Sequence, residues 1–255
     1  MAFEIIDFHT HPFNKKSGNF CFYEGSVNSE EEFIFDLEKS GISRFCGSVI
    51  DKEKRDFSGV LEGNRIALEL SKKYGKKYIP GIHIHPDFVD ESEKEIEAAY
   101  SEGVRLIGEL VPYHHGWKYD HPRLGELMEC LDGKDMVISI HSTDSDLAFL
   151  EKMAESNPEK TFVFAHPGDI PRVKGHIDIM KRRENVYLDL SGTGLFRYGV
   201  LKHLCDSVGA ERILFGTDYP ICNPEMYVKA VLFEKISDRE KELVLSANAK
   251  RLLNL

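Results

Sequence analysis

MVISIHSTDSDLAFLEKMAESNPEKTFVFAH, residues 136–166, contains the repeating unit that decides the fold. An apolar run, Met136–His141, precedes a stretch with helical periodicity, Leu147–Ser156, and a second apolar run, Thr161–His166, follows it. Short apolar runs between polar residues predict buried strands, and the periodic stretch between them predicts a helix. The unit therefore predicts two parallel strands joined by a crossover helix.

The same unit recurs along the whole chain. Eight apolar runs are strand candidates: Ile5–His9, Phe45–Ile50, Tyr78–His83, Arg105–Leu110, Met136–His141, Thr161–His166, Val186–Leu190 and Ile213–Thr217. Their alternation with helical stretches predicts an α/β fold, a single (β/α)8 TIM barrel over residues 1–255, and this length suits such a barrel. An open doubly wound sheet is the competing arrangement. No Gly-x-Gly-x-x-Gly follows the first run, so a dinucleotide-binding fold has no support.

Helical periodicity is also clear in the segments between other runs. Examples are Glu30–Ser40, Leu61–Tyr74 and Glu93–Glu102. A serine followed three residues later by a glutamate is typical of a capping box, so Ser92 and Glu95 predict a helix start at Ser92.

Composition restricts the possible partners. The formal net charge of −10 disfavours nonspecific binding to nucleic acids or anionic membranes. No run of about 18 apolar residues predicts a membrane span, and the first residues lack the basic segment of a signal peptide. The five cysteines are scattered without a Cys-x-x-Cys pair, which favours reduced thiols in a cytoplasmic protein. We expect a small-molecule substrate, and a homo-oligomer remains open.

Side chains of metal-binding types recur where the predicted strands end. Six of them lie at five strand ends: His9, His11, Glu109, His141, His166 and Asp218. His9 and His11 are two residues apart, so on an extended strand they point to the same side. Imidazole and carboxylate ligands suit Zn²⁺, Fe²⁺ and Mn²⁺. The pattern predicts a metal centre at the C-terminal ends of the barrel strands, where TIM-barrel enzymes hold their active sites.

Several longer motifs resemble a known family. They are Ile6-Asp-Phe-His-Thr-His-Pro12, Ile140-His-Ser142, Phe164-Ala-His-Pro-Gly168, Leu214-Phe-Gly-Thr-Asp-Tyr-Pro220 and Ala247-Asn-Ala-Lys-Arg-Leu-Leu253. Their order and spacing resemble the amidohydrolase superfamily, in particular its amidohydrolase 2 branch, which includes the aminocarboxymuconate-semialdehyde decarboxylase-like enzymes. The resemblance implies a metallo-dependent hydrolase type of barrel and a divalent metal cofactor, with Zn expected first and Mn or Fe as alternatives, as one ion or two.

The resemblance also implies roles for individual residues. His9 and His11 would hold a first metal together with Asp218. His141 and His166 would hold a second metal where one is present. In members with one metal, the histidine of strand 5 joins the first ion and that of strand 6 acts in catalysis, which makes His166 a catalytic candidate together with Asp218.

Glu109 bears on the number of ions. It occupies the position where relatives with two metals place a bridging lysine or glutamate, and Ile107-Gly-Glu-Leu110 resembles the strand-4 Gly-Glu of TatD-type nucleases. The Gly216-Thr-Asp218 segment departs from the Glu-Thr-Asp of those nucleases. We expect two ions bridged by Glu109. A site with one metal would instead leave Glu109 protonated or paired with a cation such as Arg172.

The reaction expected first is hydrolysis of a small amide, cyclic amide, lactone or ester. A metal-activated water would attack, with Asp218 as general base and then general acid. Three alternatives remain: a one-metal nonoxidative decarboxylase of an unsaturated or aromatic acid, a phosphoesterase supported mainly by Glu109, and a non-catalytic metal-binding regulatory barrel. A decarboxylase needs a cation for the substrate carboxylate, for which Arg172 and Arg197 are candidates.

Further residues carry both a functional and a structural interpretation. The substrate-binding candidates are His85, His114, Arg172 and Arg197. For the histidines the alternative is a structural or exposed loop position, and for the arginines it is a solvated surface position. Asp7 and Asp189 lie on predicted strands, where each carboxylate would orient a ligand histidine or form a structural pair.

Overall fold

Eight parallel strands form the centre of the molecule, in a computed structural model that describes residues 3–21, 23 and 25–255. Their bounds are β1 Ile6–Thr10, β2 Arg44–Ser48, β3 Tyr78–Ile82, β4 Leu106–Leu110, β5 Val137–Ile140, β6 Thr161–Phe164, β7 Val186–Asp189 and β8 Ile213–Leu214. Each strand pairs in parallel with the next, in chain order. The segment after β8 returns to β1, where Phe8 N donates to Phe215 O at 2.8 Å and His11 N to Tyr219 O at 2.8 Å. The predicted (β/α)8 barrel and all eight strand candidates are confirmed.

Helices connect the strands and cover the barrel. They are α1 Glu30–Lys39, α2 Phe57–Tyr74, α3 Val89–Ser101, α4 Pro112–His115, α5 Leu124–Glu129, α6 Leu147–Ser156, α7 Ile170–Arg182, α8 Val200–Val208, α9 Pro224–Phe233, α10 Asp238–Glu242 and α11 Asn248–Leu253. The predicted helix Leu147–Ser156 is confirmed with the same bounds. In the described part of the chain, no helix has the length and apolar character needed to cross a membrane.

Two predicted helix starts are wrong. α2 begins at Phe57, four residues before the predicted Leu61, because the Asp56 side chain accepts hydrogen bonds from the amides of its first turn. Ser92 does not cap a helix, since α3 already begins at Val89. Ser92 is buried inside that helix, and its hydroxyl instead accepts a hydrogen bond from His85 N at 2.9 Å. A serine hydroxyl can satisfy any nearby buried amide, which the sequence pattern does not distinguish.

The apolar interior closes one end of the barrel. Ile6, Phe8, Leu106 and their neighbours on other strands pack against the last helix in a cluster that also contains Leu253. Each large apolar side chain buried in this way contributes roughly 1.5–3 kcal/mol to folding. The opposite end, where the strands terminate, carries the buried polar side chains. The residues of metal-binding types therefore lie at the C-terminal end of the barrel, opposite the apolar cluster.

Candidate metal centre

The side chains predicted as metal ligands converge at one point. His9 and His11 Nε2 lie 3.3 Å apart. Asp218 Oδ1 lies 3.3 Å from His11 Nε2 and 3.7 Å from His9 Nε2. All three residues are buried, so these donor atoms face one another with little access to water. They form a first triad from strand β1, the residue directly after it and the segment that follows β8.

Glu109 joins this triad to a second group. Its Oε2 lies 3.4 Å from His9 Nε2 and 3.5 Å from His11 Nε2. Its Oε1 lies 3.1 Å from His141 Nδ1 and 3.1 Å from His166 Nε2. Those two ring nitrogens are themselves 3.1 Å apart. Each carboxylate oxygen therefore faces a different pair of histidines.

The spacing of the donor atoms fits divalent ions. For metal–donor bonds of about 2.0–2.1 Å, neighbouring donors lie about 3.3–3.4 Å apart around a tetrahedral ion and about 2.8–3.0 Å apart around an octahedral one. The first triad and Glu109 Oε2 show 3.3–3.7 Å, and the second group shows 3.1 Å. Within residues 3–21, 23 and 25–255, the buried Asp218 Oδ1 has no hydrogen-bond partner, which a bound cation would supply. The donor set thus fits a transition metal.

Electrostatics in the metal-free protein support the same conclusion. Burial opposes the charge of His9, but the carboxylates of Glu109 and Asp189 outweigh it and raise the pKa of His9 well above its usual value. Burial likewise opposes ionisation of Glu109, and the surrounding histidines hold the pKa of that carboxyl well below its usual range. The pairing of Glu109 with Arg172, one option for the competing one-metal site, is not formed, because Arg172 binds Asp144. In the metal-free protein, protons on the histidines supply the positive charge that a bound cation would otherwise supply.

The outer ring nitrogens of two histidines are fixed by β7 and the residues after it. His9 Nδ1 lies 2.9 Å from Asp189 Oδ2 and 3.0 Å from Ser191 Oγ. Ser191 Oγ also lies 3.0 Å from His166 Nδ1. These partners leave the Nε2 atoms of both rings directed at the centre, as is usual for metal-ligating histidines. Of the two roles left open for Asp189, the geometry corresponds to orientation of a histidine.

Further contacts orient His11 and tie β1 to the segment after β8. His11 Nδ1 lies 3.3 Å from Ser48 O, which leaves its Nε2 facing the first triad. Asp7 accepts from His9 N at 3.1 Å and from Thr217 Oγ1 at 2.6 Å. Asp7 therefore corresponds to the structural pairing, because it ties β1 to the segment after β8 and does not contact a ligand ring.

Unusual backbone conformations place the ligands. His166 and Asp218 both have a left-handed φ of 68°, a conformation that costs energy for non-glycine residues and is concentrated at functional sites. A Cβ on Gly192 would lie 2.4 Å from His166 Nδ1, and one on Gly108 would lie 2.3 Å from Ser139 O. Only glycine fits at these two positions, beside His166 and directly before Glu109.

A cavity of about 770 Å³ opens over the two groups of ligands. Its size is that of a pocket for a small molecule. Aromatic side chains form much of its wall: Phe20, Tyr113, Phe196 and Tyr227. Arg55 and Arg172 also line it, so the cavity combines aromatic surface with positive charge next to the metal ligands.

The convergent donor atoms fit a metal centre. The family model described as amidohydrolase matches residues 6–255. The chain belongs to the amidohydrolase family. The matching model is that of the amidohydrolase 2 branch, which the sequence motifs had predicted. A comparison with curated proteins finds no match.

Solved structures share the amidohydrolase barrel. An uncharacterised TIM-barrel protein from Bordetella bronchiseptica is 22% identical with a TM-score of 0.78, over 98% of each chain. A dihydroxybenzoic acid decarboxylase from a Polaromonas species, with bound manganese and 2-nitroresorcinol, is 14% identical with a TM-score of 0.74, over 99% of this chain and 97% of that one. A 5-carboxyvanillate decarboxylase from Novosphingobium aromaticivorans, with bound manganese and 3-methoxy-4-hydroxy-5-nitrobenzoic acid, is 15% identical with a TM-score of 0.76, over 99% and 97%.

This amidohydrolase places the predicted substrate-binding residues unequally. His114 lines the cavity, with its Nε2 2.9 Å from Asp51 O, and Arg172 lines it as well. His85 is buried outside the cavity lining, with its Nε2 3.0 Å from His115 O. Arg197 pairs with Asp169, also outside the lining. His114 and Arg172 therefore face the cavity, whereas His85 and Arg197 do not.

Sequence reasoning missed Arg55 and Ser191. Arg55 lies in the charged stretch Asp51-Lys-Glu-Lys-Arg55 after β2, which reads as solvated surface when taken alone. Its position at the C-terminal end of a barrel strand was the available signal. Ser191 lies two residues after the end of β7 and could have been found in the same way.

Proposed function

We propose that this amidohydrolase is a metal-dependent enzyme that removes the carboxyl group of a small aromatic or unsaturated acid without oxidation. The observation that carries the proposal is a cavity with aromatic walls whose lining includes an exposed arginine, Arg55, together with His11 and Asp218 of the first triad. The decarboxylases among the solved relatives favour this reaction over the hydrolysis expected first, although their low identity to this chain establishes a common fold only.

Arg55 is suited to hold the substrate carboxylate. In the part of the chain that the structure describes, it forms no ion pair, whereas Arg172 is bound to Asp144 and Arg197 to Asp169. A guanidinium offers a planar pair of donors that matches a carboxylate. Tyr113 packs edge to face with the ring of His141 at a centroid distance of 5.1 Å. It is an exposed aromatic side chain of the cavity wall, suited to pack on an aromatic substrate.

The chain supplies the groups that the reaction needs. Bound metal, as one ion or two and with manganese as our first choice, would act as a Lewis acid and polarise the substrate. Loss of the carboxyl group breaks a carbon–carbon bond, releases CO2 and leaves an electron pair on the ring carbon. Asp218 or His166 then delivers a proton to that carbon, as general acids do. The net reaction consumes one proton and releases one CO2 for each substrate molecule.

A substrate panel with two readouts tests the proposal. Protein loaded with Mn²⁺ is incubated with hydroxylated benzoic acids, and separately with lactones and esters, while CO2 and pH are recorded. We expect CO2 release from the acids, with a rise in pH when the CO2 is swept from the solution, since retained CO2 would hydrate to bicarbonate and return the proton. Arg55→Gln should raise KM for the acid at least about tenfold with a small change in kcat, because the lost interaction serves binding. Arg197→Gln is the matched control, since Arg197 lies outside the cavity lining.

Hydrolysis would give the opposite change in pH. Ester or lactone hydrolysis lowers the pH, because it forms a free acid. Acid formation from lactones or esters without CO2 release from any aromatic acid would reject decarboxylation in favour of hydrolysis.

Hydrolysis is the second candidate, and Glu109 favours it. Its two oxygens face separate histidine pairs at 3.1–3.5 Å, an arrangement suited to a carboxylate that bridges two ions. Two-metal sites typically stabilise both the attacking and the leaving oxygen of a displacement. On this candidate the substrate would be a lactone, an amide or a phosphoester, and Asp218 would accept the proton of the attacking water.

A further inference from the structure

Two side chains of helix α7 contact the residue that directly follows His141. Arg172 and His176 are four residues apart and so lie on one face of α7. Arg172 Nη1 donates to Ser142 O at 3.0 Å, and His176 Nε2 lies 3.3 Å from Ser142 Oγ. The Ser142 hydroxyl itself donates to Ala165 O. Both helix residues therefore contact a single serine, Ser142.

This serine joins the ends of two strands. Ser142 directly follows His141, and Ala165 directly precedes His166. The ladder between β5 and β6 has its last paired residues at Ile140 and Phe164. Beyond them, the left-handed backbone of His166 turns away from the extended form, so the ladder does not continue. The Ser142 side chain supplies the next link, one residue from each site histidine.

The state of His176 is set by its surroundings. The residue is fully buried, and burial together with the charge of Arg172 lowers the pKa of its imidazole to about 3. Within the described residues, its Nδ1 has no partner, whereas Nε2 faces the Ser142 oxygen. Because the Ser142 proton points to Ala165 O, His176 Nε2 must be the donor in the contact with Ser142.

We propose that His176 is a positioning residue that, through Ser142, fixes the 3.1 Å spacing between His141 Nδ1 and His166 Nε2. The inference rests on the metal centre of the proposed function and concerns binding of the ion, not the reaction that follows. The same inference gives Arg172 a second role. Its guanidinium binds both Asp144 and Ser142 O, and so stabilises the position of the same serine.

Metal titration of purified, metal-free variants tests the proposal. In His176→Leu, we expect the affinity for Mn²⁺ to fall about 10- to 100-fold, the usual effect of removing a residue that orients a metal ligand. His176→Gln keeps an N–H donor near the Nε2 position and should remain within about threefold of wild type. Ser142→Ala should resemble His176→Leu, and the double variant should lose little more than either single one, because both act through one contact.

Met180→Ala is the matched control for damage to the helix. Met180 also lies in α7 and is buried, but it packs in the apolar core. Its truncation should lower thermal stability and leave Mn²⁺ affinity unchanged. Equal losses of affinity in Met180→Ala and His176→Leu would overturn the proposal, as would a His176→Gln variant as weak as His176→Leu. A wild type that binds Mn²⁺ but releases no CO2 rejects the proposed reaction alone, since the binding isotherms still decide the role of His176.

Discussion

Replacing Glu109 with glutamine tests how many ions the centre holds. The carboxylate places one oxygen 3.4–3.5 Å from the His9 and His11 nitrogens and the other 3.1 Å from the His141 and His166 nitrogens. Glutamine has the same shape but no charge. We expect wild type to saturate at about two equivalents of metal and Glu109→Gln at no more than about one.

The expected magnitude follows from the charges. Two dications about 4 Å apart repel each other by roughly 17 kcal/mol at an effective dielectric constant of about 20. One negative charge about 2.1 Å from each ion attracts each of them by roughly 16 kcal/mol on the same scale. The attraction between the bridging charge and the second ion is therefore about as large as the repulsion between the two ions. Loss of that charge should weaken binding of the second ion by at least about 100-fold.

Isothermal titration of metal-free protein with Mn²⁺ and Zn²⁺, backed by elemental analysis, gives the stoichiometry. Glu234→Gln is the control, because Glu109 and Glu234 are both 4% exposed and Glu234 instead accepts a hydrogen bond from Gly199 N. Saturation at one equivalent in both wild type and Glu109→Gln would refute the bridge. That result would also remove the observation that favours hydrolysis.

Two further predictions concern single groups. Asp218→Asn should fold and still bind metal, but lose about 10²–10⁴-fold in kcat, because asparagine cannot transfer the proton; turnover above about a tenth of wild type would exclude that role. In metal-free protein, burial opposes the charge of His11, but the Asp218 and Glu109 carboxylates outweigh it and raise its pKa to about 9. Because the unfolded pKa is near 6.5, this stabilisation is complete below about pH 6.5 and is lost as pH rises through about 9. Chemical denaturation across that range should show a falling free energy of unfolding, and a flat profile would contradict the shift.

Much of the barrel follows from local pattern. Apolar runs bounded by polar residues identified all eight strands, because a strand covered on both faces must be apolar along its length. The same pattern overestimated several strand ends. β8 was predicted to reach Thr217, but it ends at Leu214. The ligand residues follow in irregular backbone, and the left-handed φ of Asp218 and His166 depends on contacts with other strands.

The candidate ligands were also accessible from the sequence, because parallel strands bring their C-terminal ends to one face of the barrel. The tertiary structure alone decided which groups support them. Asp189 and Ser191 orient His9 from across the barrel, and Arg55 reaches the cavity from a charged loop that looks like ordinary surface. Such contacts join residues up to 182 positions apart. Local sequence encodes periodicity and residue type, whereas the direction of a side chain past a strand end depends on the packing of the whole barrel.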